Sequence, residues 1–316
     1  MDNKTGLKSS FSISIQAHVI SGILAETLAL PLDTIKIRLM TQNYSAPSQV
    51  KYSGMFNCAV TIAKEEGILS LWKGYKAAVL RQSIFLSTRW YIYTEMKELQ
   101  YFNSNSDTFT LMDLVTLGVV SALPAVLLSN PFDLIKVRMQ GDKSKFTPER
   151  KGTINTSFQR STNLKDTVRY RGVNEALVKI STQEGLKSLW IGAGLSWLKI
   201  AIITPIDFIV YTMIKEAVIR NGLSDDYTTH LLCGAISGCM TFFVTPIDFV
   251  KTRLMNALKG EYSGANDVFL RTLKNEGFET LFRGVVPGAL RIALSHAITF
   301  STFEQIRNFL KSSYDE

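Results

Sequence analysis

Three copies of one pattern run through the chain, and any fold it adopts has to place them equivalently. The first reads Pro31-Leu32-Asp33-Thr34-Ile35-Lys36-Ile37-Arg38. It returns as Pro131-Phe132-Asp133-Leu134-Ile135-Lys136-Val137-Arg138 and as Pro246-Ile247-Asp248-Phe249-Val250-Lys251-Thr252-Arg253. Each copy continues to a Tyr-x-Gly turn at Tyr52, Tyr170 and Tyr262, and then to Glu66-Gly67, Glu184-Gly185 and Glu276-Gly277. A cation follows each, Arg81, Lys199 and Arg291, and then an aromatic, Tyr93, Tyr211 and Phe303. Only the stretch between the proline motif and the tyrosine changes length.

Each copy therefore holds two apolar segments joined by a polar connector. The first-type segments cover 11–40, 111–140 and 228–256, and the second-type cover 72–100, 191–220 and 286–311. All exceed the roughly 20 residues that cross a bilayer as a helix. They also carry charge, and a charge at the bilayer centre costs about 2.5–3.5 kcal/mol even on lenient scales. Because the charges recur at fixed positions, they point into a shared, wet interior, and six tilted helices around a pseudo-threefold axis give the closure. A hydrophobic fraction of 46% and a mean hydropathy of +0.10 fit apolar helices with a charged interior.

The net charge of +8 suits anionic lipid or anionic solutes. No zinc, RNA-binding or helix-turn-helix signature accompanies it, so nucleic acid is not expected as a partner. Cys58, Cys233 and Cys239 lack metal-ligand spacing, and no metal or catalytic residue is expected. No serine–histidine, zinc or phosphate-loop constellation points to an enzyme.

Pro-x-Asp-x-x-Lys-x-Arg followed by Glu-Gly-x-x-x-x-aromatic-basic-Gly, three times in register, resembles the mitochondrial carrier family from about residue 11 to 311. The second element ends in Trp72-Lys73-Gly74 and Phe282-Arg283-Gly284, while the middle copy reads Trp190-Ile191-Gly192 and departs from the pattern at Ile191. The resemblance implies an all-α membrane fold: six transmembrane helices in a pseudo-threefold bundle with three short matrix helices. It divides the chain into a polar tail (1–10), repeats at 11–105, 106–222 and 223–311, and a short C-terminal tail (312–316). An insertion at 141–169 reads either as a loose matrix loop or as a docking arm. The address implied is the mitochondrial inner membrane, multi-pass, with both termini toward the intermembrane space. Cardiolipin is an expected lipid partner at Gly74, Gly192 and Gly284.

Two gates follow from the resemblance. Asp33, Lys36, Asp133, Lys136, Asp248 and Lys251 would form a matrix gate, pairing Lys36 with Asp133, Lys136 with Asp248 and Lys251 with Asp33, braced by Gln140. Pairing within one helix turn is the alternative reading of the same spacing. The cytoplasmic gate is thinner, with Lys97, Lys215, Glu304 and Arg307 as its charged members and Glu304–Lys97 as its one complete pair. Thr94 and Thr212 stand where the pattern has acids. Three pairs against one make the matrix ring the harder gate to open.

For substrate, Arg81, Lys199 and Arg291 form an equivalent cationic layer, and Arg89 and Asp207 lie about 12 Å further along the helices. Arginine's planar fork suits carboxylates and phosphates. Glu26, together with Arg89, Asp207, the Pro-Leu-Asp-Thr run at Pro31 and the Lys-Thr-Arg-x-Met-Asn run at Lys251, resembles the uncoupling-protein group in the dicarboxylate–oxoglutarate branch. The function implied is movement of small anions, protons or both by alternating access. Glu26 as a packing acid held by Arg89 or Ser21 is the other possibility. The departures at Ile191 and in the cytoplasmic gate leave a second class open: a carrier fold kept as a structural subunit of a larger inner-membrane respiratory complex.

Overall fold

The computed structural model describes residues 2–44, 50–103, 110–142, 170–220 and 227–314. Side chains are described chiefly within 16–44, 50–99, 112–142, 170–206 and 242–299. Nine α-helices occur among them: α1 (Asp2–Thr41), α2 (Met55–Glu65), α3 (Tyr75–Asn103), α4 (Leu111–Gly141), α5 (Val173–Gln183), α6 (Ala193–Arg220), α7 (Tyr227–Asn256), α8 (Ala265–Glu276) and α9 (Val285–Tyr314). Single 3-10 turns at Ile68–Trp72, Leu186–Trp190 and Phe278–Phe282 precede α3, α6 and α9. The fold is an all-α membrane fold. Two boundaries differ from expectation: α1 begins at Asp2 and α9 runs to Tyr314, because no proline or turn cluster stops either helix. Most of the 141–169 insertion lies outside the described residues.

The six long helices close a ring in which α1 packs on α3, α3 on α4, α4 on α6, α6 on α7, α7 on α9 and α9 on α1. Inside that ring α1, α4 and α7 also touch one another. Four stretches are long and apolar enough to cross a membrane among the described residues: Gln16–Thr41, Met112–Gly141, Leu186–Ile206 and Phe278–Thr299. In α3 the charges at Lys76, Arg81, Arg89, Glu95 and Lys97 break the apolar window, and the first half of α7 has no described side chains. The outer face carries Leu28, Leu123, Leu128, Leu198, Ile202 and Leu290, all exposed, as the lipid-facing side of a bundle requires.

The short helices seal one end. α2 buries Cys58 and Ile62 against Ile35, Leu39 and Tyr52. α5 buries Val173, Ala176 and Ile180 against Leu134, Ile135 and Val137. In the third copy Phe249 and Leu281 pack with Met40 of α1, so the last repeat closes on the first.

Candidate functional site: a ring of interlocked ion pairs

The motif prolines sit inside α1, α4 and α7, and one turn beyond each the chain delivers an aspartate and a lysine to the bundle axis. Lys36 Nζ lies 2.6 Å from Asp248 Oδ2. Lys251 Nζ lies 2.6 Å from Asp133 Oδ2, and Lys136 pairs with Asp33. Every ring pair therefore joins two helices. The direction is the reverse of the expected one: each lysine reaches the aspartate of the preceding copy in the cycle, not the following one. Spacing alone is blind to this, since Asp and Lys sit three residues apart in every copy and either direction satisfies the sequence. The tilt and order of the helices decide it.

The even-helix cations join the same aspartates. Lys199 Nζ is 2.9 Å from Asp248 Oδ2, Arg291 Nε is 3.1 Å from Asp33 Oδ1, and Arg81 Nε is 3.8 Å from Asp133 Oδ1. Each aspartate thus bridges one lysine of an odd helix and one cation of an even helix. Glu26 breaks the symmetry. It is buried and receives Lys136 Nζ at 2.5 Å, Arg291 Nη2 at 3.0 Å and Arg81 Nη2 at 3.6 Å. Its partners are these cations and not Arg89 or Ser21; the Ser21 hydroxyl donates to the His18 carbonyl. The equivalent positions hold Val126 and Thr241, so among the described residues six cations face four carboxylates and the layer keeps an excess of positive charge. A cavity of 170 Å³ lies among Asp33, Asp133, Asp248, Arg81, Lys199 and Arg291.

Gln140 does not brace the ring. Its Nε2 donates to Thr34 Oγ1 at 3.0 Å, and its Oε1 is buried with no partner. The matching positions hold Met40 and Met255, and their side chains pack toward Gly284 and Gly192. Arg89 lies away from the ring with its guanidinium over the Phe85 ring, 5.8 Å from the centroid. Of the expected cytoplasmic gate only Lys97 is described, and it is exposed. The side chains of Asp207, Lys215, Glu304 and Arg307 lie outside the described residues.

Below the ring is a second threefold set, to which the sequence reading gives no role. Arg38 binds Glu66 through two hydrogen bonds of 2.8 Å. Arg138 binds Glu184 at 2.6 and 2.8 Å, and Arg253 binds Glu276 at 2.5 and 2.7 Å. The Nε of each arginine donates across to the next odd helix: Arg38 to the Gln140 carbonyl at 2.6 Å, Arg138 to Met255 at 2.9 Å and Arg253 to Met40 at 2.9 Å. A guanidinium fork can hold a carboxylate and a carbonyl at once, which an ammonium cannot do with fixed geometry. Lys73 joins Glu66 at 2.8 Å, and burial lowers its ammonium pKa below the usual lysine range despite that partner. The recurrence of Arg and Glu-Gly in all three copies was the signal for this set.

Helices that enclose buried charge and turn leucine outward define a polytopic membrane protein with a charged layer at its axis. A family model described as mitochondrial carrier protein matches residues 8–104, 107–222 and 224–314. The chain is similar to mitochondrial brown fat uncoupling protein 1 of Suncus murinus, 34% identical over 306 residues, covering 95% of this chain and 92% of that protein. It is similar to the protein of the same name from Phodopus sungorus, 32% identical over 308 residues, with 96% and 94% covered. Mitochondrial uncoupling protein 1 of Arabidopsis thaliana is 30% identical over 311 residues, with 96% of each chain covered. The chain belongs to the mitochondrial carrier family, near its uncoupling-protein branch. That family consists of multi-pass transporters of the mitochondrial inner membrane and not of enzymes.

Proposed function

We propose that this carrier moves small anions, protons or both by alternating access, a reading supported by its similarity to proteins named as mitochondrial uncoupling proteins. The observation that carries this reading is the charge layer at the axis. Arg81, Lys199 and Arg291 each share a ring aspartate with a lysine, so an arriving anion competes for the cations that hold the ring shut. Binding then draws directly on gate contacts, which is what couples solute to opening. Six cations against four carboxylates favour a negatively charged solute, and Glu26, linked to three of those cations, limits how large that excess of charge is.

Both termini face the intermembrane space in this reading, because the ring and the short helices lie at the opposite end of α1 and α9. Anionic lipid of the cardiolipin type is the proposed partner at Gly74, Gly192 and Gly284. Helices α3, α6 and α9 begin immediately after these glycines, and helix N-termini favour phosphate.

Uptake of labelled malate and phosphate into proteoliposomes tests the reading, with Arg81→Gln, Lys199→Gln and Arg291→Gln examined one at a time. Each substitution is expected to reduce uptake at least about tenfold, the loss of roughly one charge-assisted contact. A fully active triple variant would overturn the assignment. Co-purification in a fixed-stoichiometry complex, without uptake, would place the chain in the structural class.

A further inference from the structure

A second cavity of 180 Å³ opens beside the ring, among α3, α4, α6 and α7. It shares Arg81, Asp133, Lys199 and Lys251 with the ring, but its other walls are its own: Phe85, Val126 and Ile200 are apolar, and Ser129, Asn130 and Ser196 are polar. Two buried atoms at this cavity's residues have no hydrogen-bond partner, Arg81 Nε and Asn130 Oδ1. The first is a cationic donor and the second a neutral acceptor.

The orientation of Asn130 is set by its other end. Its Nδ2 donates to the carbonyls of Leu189 at 2.8 Å and Ile191 at 3.2 Å. Exchanging the amide's nitrogen and oxygen would set oxygen against two carbonyls, so Oδ1 has to be the atom left over. Asn130 is 1% exposed, and a buried acceptor without a donor is costly enough to require an explanation. The repeat does not supply one. Copies one and three have Leu30 and Thr245 at this place, and Ala78 and Gly288 where copy two has Ser196. The polar wall occurs once in the molecule, so pseudo-threefold packing does not demand it.

We propose that this cavity binds a small carboxylate bearing a hydrogen-bond donor on the adjacent carbon, a 2-hydroxy or 2-amino acid. The inference rests on the carrier reading above and names its solute class. The carboxylate takes Arg81 Nε from its 3.8 Å ion pair with Asp133, which keeps Lys251 as its partner, and faces Lys199; the hydroxyl or ammonium donates to Asn130 Oδ1, and a short aliphatic tail lies against Phe85, Val126 and Ile200. The volume holds about six waters at ~30 Å³ each, enough for such an acid. A 2-oxo acid of the same skeleton places an acceptor against Asn130 Oδ1 and is disfavoured.

The test is the thermal shift of the purified full-length chain with L-2-hydroxybutanoate, L-2-aminobutanoate and 2-oxobutanoate, with uptake of the same three acids by proteoliposomes in parallel. The wild-type chain is expected to bind the hydroxy or amino acid about three- to tenfold more tightly than the oxo acid, the worth of one neutral hydrogen bond. Asn130→Leu, which installs the residue of copy one, is expected to bring that ratio to about one. Equal affinity for all three acids in the wild-type chain, or no shift with any, overturns the proposal and leaves the cavity to ordered water. That comparison needs no folded variant. A shift with the donor preference but no uptake would sink the transport reading and keep the site; uptake without the preference would sink the site and keep transport.

Discussion

The Trp72 indole N–H donates to the Thr27 carbonyl at 3.1 Å, and Thr27 is the residue whose carbonyl Pro31 leaves without an intrahelical donor. A proline removes the bond from its own nitrogen to the carbonyl four residues earlier, and in lipid a carbonyl without a donor costs several kcal/mol. The second copy repeats the arrangement, with Trp190 Nε1 donating to Leu127, four residues before Pro131, at 2.9 Å. The third copy has Phe282 instead, stacked on Phe242 with ring centroids 4.7 Å apart, and Phe242 lies four residues before Pro246. An indole N–H thus satisfies the proline break in two copies, and in the third two aromatic rings stack beside it.

Trp72→Phe and Trp190→Phe should each lower stability by about 1–2 kcal/mol, since the carbonyl loses its donor and the aromatic bulk remains. Thermal unfolding in detergent measures the loss. An unchanged melting temperature for both variants would show that the indole N–H is dispensable.

The direction of the ring is open to a double-mutant cycle. Lys36 and Asp248 should show a coupling energy above about 1 kcal/mol, and Lys36 with Asp133 should be additive within about 0.5 kcal/mol. Strong coupling in the second pair and none in the first would reverse the pairing found here.

Glu26→Gln removes the carboxylate that Lys136, Arg81 and Arg291 share. Stability should fall by about 3 kcal/mol, at the low end for a broken buried pair because Asp33 still holds Lys136 and Arg291. The excess positive charge of the layer rises at the same time, so the KM for a divalent anion should fall. A variant that is destabilised with a higher KM would argue against Glu26 as the charge-setting residue.

Arg38→Lys keeps the charge but cannot reach Glu66 with two bonds and the Gln140 carbonyl with a third. A loss of about 2–4 kcal/mol is expected. The counterpart on the outer surface, Arg271→Lys, alters an exposed pair with Asp267 and should change stability by less than about 0.5 kcal/mol. Equal effects at the two sites would show that the buried fork adds nothing.

Gly67 and Gly74 both have positive φ, 92° and 76°. An added Cβ at Gly67 meets nothing, whereas at Gly74 it comes within 3.3 Å of the Lys136 carbonyl oxygen. Gly67→Ala should cost about 1–3 kcal/mol from backbone strain. Gly74→Ala should cost more, because the neighbouring helix cannot yield as a flexible side chain would. The ranking is read from the two melting temperatures, and the reverse order would refute it.

Much of this protein is legible in its sequence. Threefold recurrence of proline, aspartate, lysine and arginine determined the number of long helices and the equivalence of their charges, because a pattern repeated at matched spacing has to occupy matched places. It also marked Arg81, Lys199 and Arg291 as one layer. What spacing leaves open is which equivalent partner a charge meets. Lys36 can be written against Asp133 or Asp248 with equal ease, and only the packing order of α1, α4 and α7 selects Asp248. The expected brace at Gln140 is missing for the same reason: which neighbour its amide meets depends on how α4 packs on α1, and that neighbour is Thr34. Asn130 was invisible because it occurs in one copy alone, and a solitary polar residue acquires meaning only when burial shows that one of its atoms has no partner. Chain chemistry determined the charges and their symmetry; tertiary structure decided their pairing, since contacts between helices depend on tilt and register that no single helix encodes.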